Sequence, residues 1–198
     1  VIVSYERVKE ILNSEQEKNG GIILKEPVRK IQFHQVIFGY KENLVLRESN
    51  LLIENPGLYS LVGSNGCGKS TIFKLLEHFY ECKSGKIEIN QIPINKFSVS
   101  NLRNNIVYMP KKPFFLQGTI MDNLKLDQNE ISYLEVIEAC KKVGIHNDIQ
   151  KLEKGYDELL EPGGENFSSG QKQKLGFVRV LLKKADIVLL DEVTSDLD

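Results

Sequence analysis

The sequence has few cysteines, no long apolar run and almost no excess of charge of either sign. Its three cysteines stand at unrelated spacings, and none belongs to a C-x-x-C pair that would indicate a zinc or redox site, so a reducing compartment fits best. No apolar run approaches the roughly 20 residues that span a bilayer, and no signal peptide is visible. The formal net charge of -1 provides no electrostatic footprint for nucleic acid, so we expect no nucleic-acid partner.

The composition is that of an ordinary globular domain. The chain has 198 residues, of which 41% are hydrophobic and 27% charged, which excludes neither an enzyme nor a binding module. It begins at Val1 rather than Met and ends at Asp198, directly behind an acidic motif. We therefore expect that both ends are cut.

The stretch GSNGCGKST, residues 63–71, matches the spacing G-x-x-x-x-G-K-[ST] of a P-loop. Its glycines allow a tight turn in which successive N–H groups point at phosphate oxygens. Lys69 adds a positive charge, Ser70 supplies a hydroxyl to Mg²⁺, and the following helix directs its positive dipole end at the same anion. The residues predicted to bind nucleotide here are Gly63, Ser64, Asn65, Gly66, Cys67, Gly68, Lys69, Ser70 and Thr71.

Apolar residues flank this loop in the order that strand, loop and helix require. The run Leu58 to Val62 predicts a short buried strand before the loop. A helix is predicted after it from the spacing of Ile72, Leu75, Leu76 and Phe79. A glycine-rich turn that merely links strand to helix is the alternative interpretation of the motif.

Strand and helix patterns elsewhere predict an α/β fold. Residues 31–40 and 44–54 predict two antiparallel strands ahead of the loop, and residues 86–94 predict a further strand. The pattern between 113 and 170 is mostly helical, with one helix face formed by Ile131, Leu134, Ile137 and Val143. A later amphipathic helix carries Leu175, Val178, Leu181 and Leu182.

Two carboxylates follow the last apolar run of the chain. Ile187 to Leu190 predict a buried strand that ends in Asp191 and Glu192, which is the strand end where open α/β sheets bind ligands. Asp191 can hold Mg²⁺ directly or through water, and Glu192 can polarise a water for attack on a γ-phosphate. An acidic strand end that caps the next helix is the alternative interpretation.

A second anion-binding motif, FSSGQ at residues 167–171, stands between the P-loop and this acidic pair. A serine hydroxyl and a glycine at a helix N-terminus can bind a phosphate, and one nucleotide cannot easily use both sites. Here the sequence resembles the ATP-binding cassette family from about Ile31 onward. FSSGQ is similar to the LSGGQ signature, Asp191 with Glu192 to Walker B and its catalytic glutamate, and SDLD, residues 195–198, to the D-loop.

The resemblance implies a P-loop NTPase (RecA-like) core with an antiparallel β subdomain and an inserted α-helical subdomain. It implies ATP and Mg²⁺ as ligands, with Lys69 and Glu192 catalytic and with Ser70 and Asp191 on the metal. Tyr40 matches the aromatic residue that stacks on adenine, although packing within the β layer is its alternative role. In such ATPases two cassettes enclose ATP head to tail, so the signature residues Ser168, Ser169, Gly170 and Gln171 and the D-loop residue Asp198 serve the partner's site.

The run PFFLQGTIMDNL, residues 113–124, resembles a stretch of exporter-type cassettes, in which a transmembrane domain precedes the cassette in the same polypeptide. The resemblance therefore implies a transport motor on the cytoplasmic face of a membrane. We divide the chain into a helix end and linker from that membrane domain (1–28), the β subdomain with the P-loop part of the core (29–109), the helical subdomain with the Q-loop position and signature (110–179), and the Walker B strand with the D-loop (180–198).

Three positions depart from the family pattern. Lys111 stands where the Q-loop glutamine belongs, and since a protonated lysine cannot ligate Mg²⁺, we predict weaker or altered Mg²⁺ dependence, with Lys111 neutralising phosphate charge instead. Ser169 replaces a signature glycine and predicts backbone strain if that position needs a positive φ. LEPGG, residues 160–164, replaces VGERG. Together these departures leave a homodimer and a heterodimer with unequal sites both open.

The family also uses a histidine downstream of the D-loop, whereas His34, His78 and His146 all precede Asp191. We therefore expect the chain alone to bind ATP but to hydrolyse it poorly. Two other classes remain open: a soluble cassette ATPase of DNA repair or translation, which predicts a coiled-coil insert or a basic face, and a P-loop kinase, which has no use for FSSGQ. The transported substrate cannot be read from these residues.

Overall fold

A computed structural model of the chain describes residues 6, 9, 20–126, 128 and 130–193. The predicted D-loop and most of the predicted helix end and linker lie outside these residues. Among the described residues, none of the helices combines the length and the apolar character of a membrane-spanning segment.

An antiparallel sheet forms the first layer, in the order β2-β1-β3-β4. Its strands are β1 (Lys30–Tyr40), β2 (Asn43–Glu54), β3 (Ser84–Ile89) and β4 (Ile92–Pro93). The two strands predicted ahead of the loop are thus confirmed. The single strand predicted over 86–94 is wrong, because Asn90 and Gln91 adopt left-handed backbone angles, with φ of 49° and 67°, and turn the chain into a hairpin.

A parallel pair of strands carries the acidic motif. β5 (Ile106–Met109) pairs with β8 (Ile187–Leu190), and Met109 lies opposite Leu190. The Asp191 N–H donates to the Met109 carbonyl over 3.0 Å, so the two strands end at the same edge. Two helices complete this region, α1 (Lys69–Leu76) directly after the P-loop and α2 (Val99–Asn104) ahead of β5.

The strand predicted from Leu58 to Val62 is not formed. These residues have no regular secondary structure, and Leu58 and Val62 are 95% and 93% exposed. A strand requires ladder partners as well as apolar side chains. Here the Tyr59 hydroxyl instead donates to the carbonyl of Glu54 over 2.6 Å, which folds the segment back towards the end of β2. One face of β8 is exposed, since Val188 and Leu190 are 46% and 38% exposed whereas Ile187 and Leu189 are buried.

Among its described residues, the predicted helical region contains three helices and a small strand pair, and the separately predicted amphipathic helix follows it. These elements are β6 (Gly118–Thr119), α3 (Ile120–Lys125), α4 (Tyr133–Val143), α5 (His146–Gln150), β7 (Leu159–Leu160) and α6 (Ser169–Lys183). Short 3-10 turns lie at Ile94–Lys96, Gly155–Asp157 and Pro162–Gly164. Helix α6 begins directly after Ser168, at the serine start that the sequence predicts. The predicted apolar faces are wrong at Leu134 and Leu181, which are 72% and 47% exposed.

Two hydrophobic clusters hold these layers together. The first joins the antiparallel sheet, α1 and the parallel strands through Phe33, Leu75, Ile89, Leu102 and Leu189, among others. The second joins α3 to α6 through Phe115, Leu124, Val136, Ile149 and Val178, among others. The domain boundaries at residues 28, 109 and 179 stay predictions.

Candidate active site

The P-loop closes around its own lysine. Lys69 Nζ donates to the carbonyls of Gly63 over 2.8 Å and Ser64 over 3.1 Å, which places the ammonium inside the loop that precedes α1. Gly68 caps the helix with φ of 102°, and a Cβ at this position would lie 2.9 Å from Cδ2 of Leu46 in β2. Only glycine allows both this backbone angle and this approach to the sheet.

A hydroxyl, a carboxylate and a phenol meet beside the loop. Ser70 Oγ donates to Asp191 Oδ2 over 2.7 Å, and Tyr108 Oη donates to the same oxygen over 3.0 Å. Burial, followed by the Asp191 carboxylate, raises the pKa of Tyr108, so its hydroxyl stays protonated and able to donate. The residues predicted to hold the metal, Ser70 and Asp191, are thus brought together from elements distant in sequence.

The oxygen donors at this point suit Mg²⁺. Hydroxyl and carboxylate oxygens are its preferred protein ligands, and in nucleotide-hydrolysing enzymes one or two protein ligands are completed by phosphate and water. Within the described part of the chain, His, Cys, Asp and Glu do not gather in groups of three or more that could hold a metal. The two oxygen donors that are present, Ser70 Oγ and Asp191 Oδ2, fit a metal whose other ligands come from phosphate and water.

Glu192 has a different partner from its neighbour Asp191. Lys111 Nζ donates to Glu192 Oε2 over 2.9 Å, with both side chains about half exposed. The Lys111 carbonyl in turn accepts from Nε2 of Gln173, a buried residue of α6, over 2.7 Å. Lys111 therefore lies beside the acidic pair, with its ammonium on the candidate catalytic carboxylate.

Tyr40 lies at the end of β1 within a cluster of aromatic rings. Its ring packs edge-on against Phe38 and Tyr80, at centroid distances of 5.1 and 5.4 Å, and Lys74 Nζ lies 5.6 Å from its centroid. The Tyr40 hydroxyl is 3.4 Å from Oγ1 of Thr71, which links this strand end to the P-loop. Stacking of Tyr40 on adenine stays a prediction.

The signature residues form the N-terminus of α6. Ser168 Oγ accepts from the Gln171 N–H over 3.2 Å, and Gln171 Oε1 accepts from the Ser168 N–H over 3.0 Å, which makes a reciprocal capping box. Ser169 is the first helical residue and does not have a positive φ. The condition for backbone strain at Ser169, a positive φ, is therefore not met in this structure, because a helical position accepts any ordinary side chain.

Sequence reasoning missed two residues of this site, Tyr108 and Gln173. A signal existed for Tyr108, since it is the polar member of an apolar strand that ends at the same sheet edge as Asp191. Gln173 carried a weaker signal, as a polar residue beside Leu175 on the inward side of α6. The predicted site residue Asp198 lies outside the described residues.

Comparison with known proteins gives a consistent result. The family model described as ABC transporter matches residues 46–195. A probable ABC transporter ATP-binding/permease protein of Haemophilus influenzae is 36% identical over the whole chain, which spans 36% of that protein. A lactococcin-G-processing and transport ATP-binding protein of Lactococcus lactis is 35% identical over 99% of the chain, or 29% of the relative.

A solved structure, that of a bacterial Atm1-family ABC exporter with ATP bound, matches over the whole chain with a TM-score of 0.89 at 28% identity. The chain covers 35% of that structure. It therefore spans about a third of the length of the relatives it matches.

Proposed function

Because this chain belongs to the ABC transporter family, we propose that it is the ATP-driven motor domain of an exporter. Membership confirms the predicted family, the P-loop NTPase fold and the ATPase class of the domain. The coupling of hydrolysis to export belongs to the longer protein and is part of the proposal. The observation that carries it is the 2.7 Å contact between Ser70 at the P-loop and Asp191 beside Glu192. This contact brings together the residues that are proposed to bind phosphate, metal and water.

Each side chain has a chemical role in this proposal. Lys69 neutralises phosphate charge from inside the loop, where it now contacts loop carbonyls. Ser70 and Asp191 would hold Mg²⁺, which would supply positive charge to offset that of the phosphates. Glu192 accepts a hydrogen bond from the attacking water and orients it towards the γ-phosphate. Tyr108 and Ser70 keep Asp191 in place before the nucleotide arrives.

A second cassette is the first proposed partner. The capped N-terminus of α6 presents Ser168 and Ser169 as exposed residues, on a 15-residue helix whose dipole favours an anion there. Because the chain's own P-loop already provides one helix N-terminus for phosphate, the signature is proposed to bind the nucleotide of the partner cassette. Homodimer and heterodimer both satisfy this arrangement.

The membrane domain of the same polypeptide is the second proposed partner, and it places the cassette on the cytoplasmic face of a membrane. Phe114 and Leu116 are 67% and 55% exposed, although the intervening Phe115 is fully buried. The Leu116 N–H donates to Asn123 Oδ1 and Asn123 Nδ2 donates to the Leu116 carbonyl, each over 2.9 Å, which holds this segment against α3. Its apolar side chains are proposed to contact the membrane domain, since the relatives are about three times longer than this chain.

Glu192→Gln in the full-length protein tests the proposed function. We expect the turnover rate to fall about 100-fold or more, the loss typical of a general base, with ATP binding retained. The variant should also accumulate as an ATP-dependent dimer of cassettes in size-exclusion chromatography, whereas Glu42→Gln, on an exposed turn, should match the wild type. An unchanged turnover rate, or stimulation by nucleic acid instead of dependence on the membrane domain, would contradict the proposal.

A further inference from the structure

We propose that Lys111, which stands where the family has a glutamine, is a positioning residue for ATP hydrolysis. It holds the Glu192 carboxylate in place. The contact is direct, at 2.9 Å between Nζ and Oε2. It follows from the strand register, because Met109 lies opposite Leu190, and Lys111 and Glu192 each lie two positions beyond the end of their strand. The inference rests on the proposed role of Glu192 in orienting water.

The backbone of Lys111 is fixed from the opposite side. The buried side chain of Gln173, 1% exposed, donates its amide to the Lys111 carbonyl over 2.7 Å. Gln173 belongs to α6, the helix that begins at the signature. The Lys111 ammonium therefore reaches Glu192 from a residue whose backbone is held by Gln173. Through Gln173 and Lys111, the signature helix is connected to the candidate catalytic carboxylate.

Glu192 has a conformation that benefits from such support. Its φ of 51° is in the left-handed region, which is unfavourable for a residue with a side chain. It also follows Asp191, whose carboxylate is held by Ser70 and Tyr108. Two adjacent carboxylates near phosphate repel one another, and the ammonium of Lys111 counters this repulsion at Glu192.

Loss of the contact between Lys111 and Glu192 should impair catalysis more than it impairs folding. A half-exposed ion pair contributes little to stability, because solvent screens it. The direction of the water-orienting carboxylate matters far more, since a displacement of about 1 Å in a reacting group can cost up to about 100-fold in rate. Loss of the ammonium should therefore lower the turnover number and leave ATP binding and thermal stability almost unchanged.

The experiment compares Lys111→Met, which keeps the length of the side chain without its charge, with Lys111→Arg in the full-length protein. We expect Lys111→Met to lower kcat about tenfold with KM for ATP within about twofold, the pattern of an interaction made in the transition state. Lys111→Arg should recover kcat to within about threefold of the wild type. Lys112→Met, the same change at the neighbouring exposed lysine, is the matched control and should leave both constants unchanged.

A double variant separates positioning from a merely structural role. In the Glu192→Gln background, Lys111→Met should have no further effect on the residual rate, because the carboxylate that it positions has gone. An additional tenfold loss there, a rise in kcat, or an increase in KM with unchanged kcat would each overturn the inference, the last by assigning Lys111 to the phosphates. A wild-type rate in Glu192→Gln alone would instead overturn the proposed function.

Discussion

Tyr108→Phe tests the metal site most directly, because it removes one hydroxyl and leaves the ring. The hydroxyl donates to Asp191 Oδ2 over 3.0 Å, and the ring packs against Phe73 at a centroid distance of 6.2 Å. Phenylalanine preserves that packing. Asp191 keeps its hydrogen bond from Ser70, so the carboxylate loses one of two donors to this oxygen rather than both.

The size of the effect follows from the kind of hydrogen bond lost. A hydrogen bond to a charged group contributes about 1.5–3 kcal/mol, and we take the lower end because Ser70 remains. Since about 1.4 kcal/mol corresponds to a factor of ten in an equilibrium constant, Mg²⁺ affinity should fall about tenfold. This agrees with the roughly 10- to 100-fold losses that follow when the residue behind a metal ligand is changed.

The assay is ATP hydrolysis by the full-length protein as a function of Mg²⁺ concentration. Tyr108→Phe should raise the half-saturating Mg²⁺ concentration about tenfold while high Mg²⁺ restores most of the maximal rate. Tyr133→Phe, the same change on the exposed side of α4, is the control and should follow the wild-type curve. A half-saturating concentration identical to that of the wild type would refute the assignment of Tyr108 to the metal site.

Three further changes test the packing that supports the site. Gly68→Ala should lower the free energy of chemical unfolding by about 2 kcal/mol, because the position has a positive φ and its Cβ would lie 2.9 Å from Leu46. Gly66→Ala should lower it by only about 1 kcal/mol, because Gly66 has a φ of 81° but its Cβ would lie in open space. Arg179→Leu should cost about 3 kcal/mol, because it removes a partly buried guanidinium that donates to the carbonyls of Phe114 and Asn123; the exposed Arg47→Leu is its control. Lys184, followed by the Ser132 backbone, lowers the pKa of Glu135 to about 2 from its ordinary value of 4.5. A lowered carboxyl pKa stabilises the fold at higher pH, so the stability difference between wild type and Glu135→Gln should be complete above pH 4.5 and should be lost as the pH falls through 2. A difference that stays the same from pH 5 to below pH 2 would contradict this.

Features that depend on short stretches of sequence could be predicted. The P-loop turn requires glycines at fixed offsets, and Gly68 does have the positive φ that the motif implies. The starts of α4 and α6 follow from Ser132 with Glu135 and from Ser168 with Gln171, because a capping box involves residues only three positions apart. Local geometry is sufficient in each of these cases.

Features that depend on distant partners were predicted less well. The run from Leu58 to Val62 has the composition of a buried strand, but composition does not provide the ladder that a strand needs. Leu134 and Leu181 show the same limitation for helices, since spacing gives the period of a face but not how far around the helix the core extends.

The long-range contacts of the site depend on one fact that the sequence alone does not contain, namely which strand lies beside β8. Tyr108 is 83 positions from Asp191, and Lys111 is 81 positions from Glu192, so no local pattern relates them. Once β5 and β8 are known to be parallel neighbours with Met109 opposite Leu190, both contacts follow by counting two residues along a strand. Continued by two residues, the same register places position 111 opposite Glu192, which accounts for the 2.9 Å contact between their side chains.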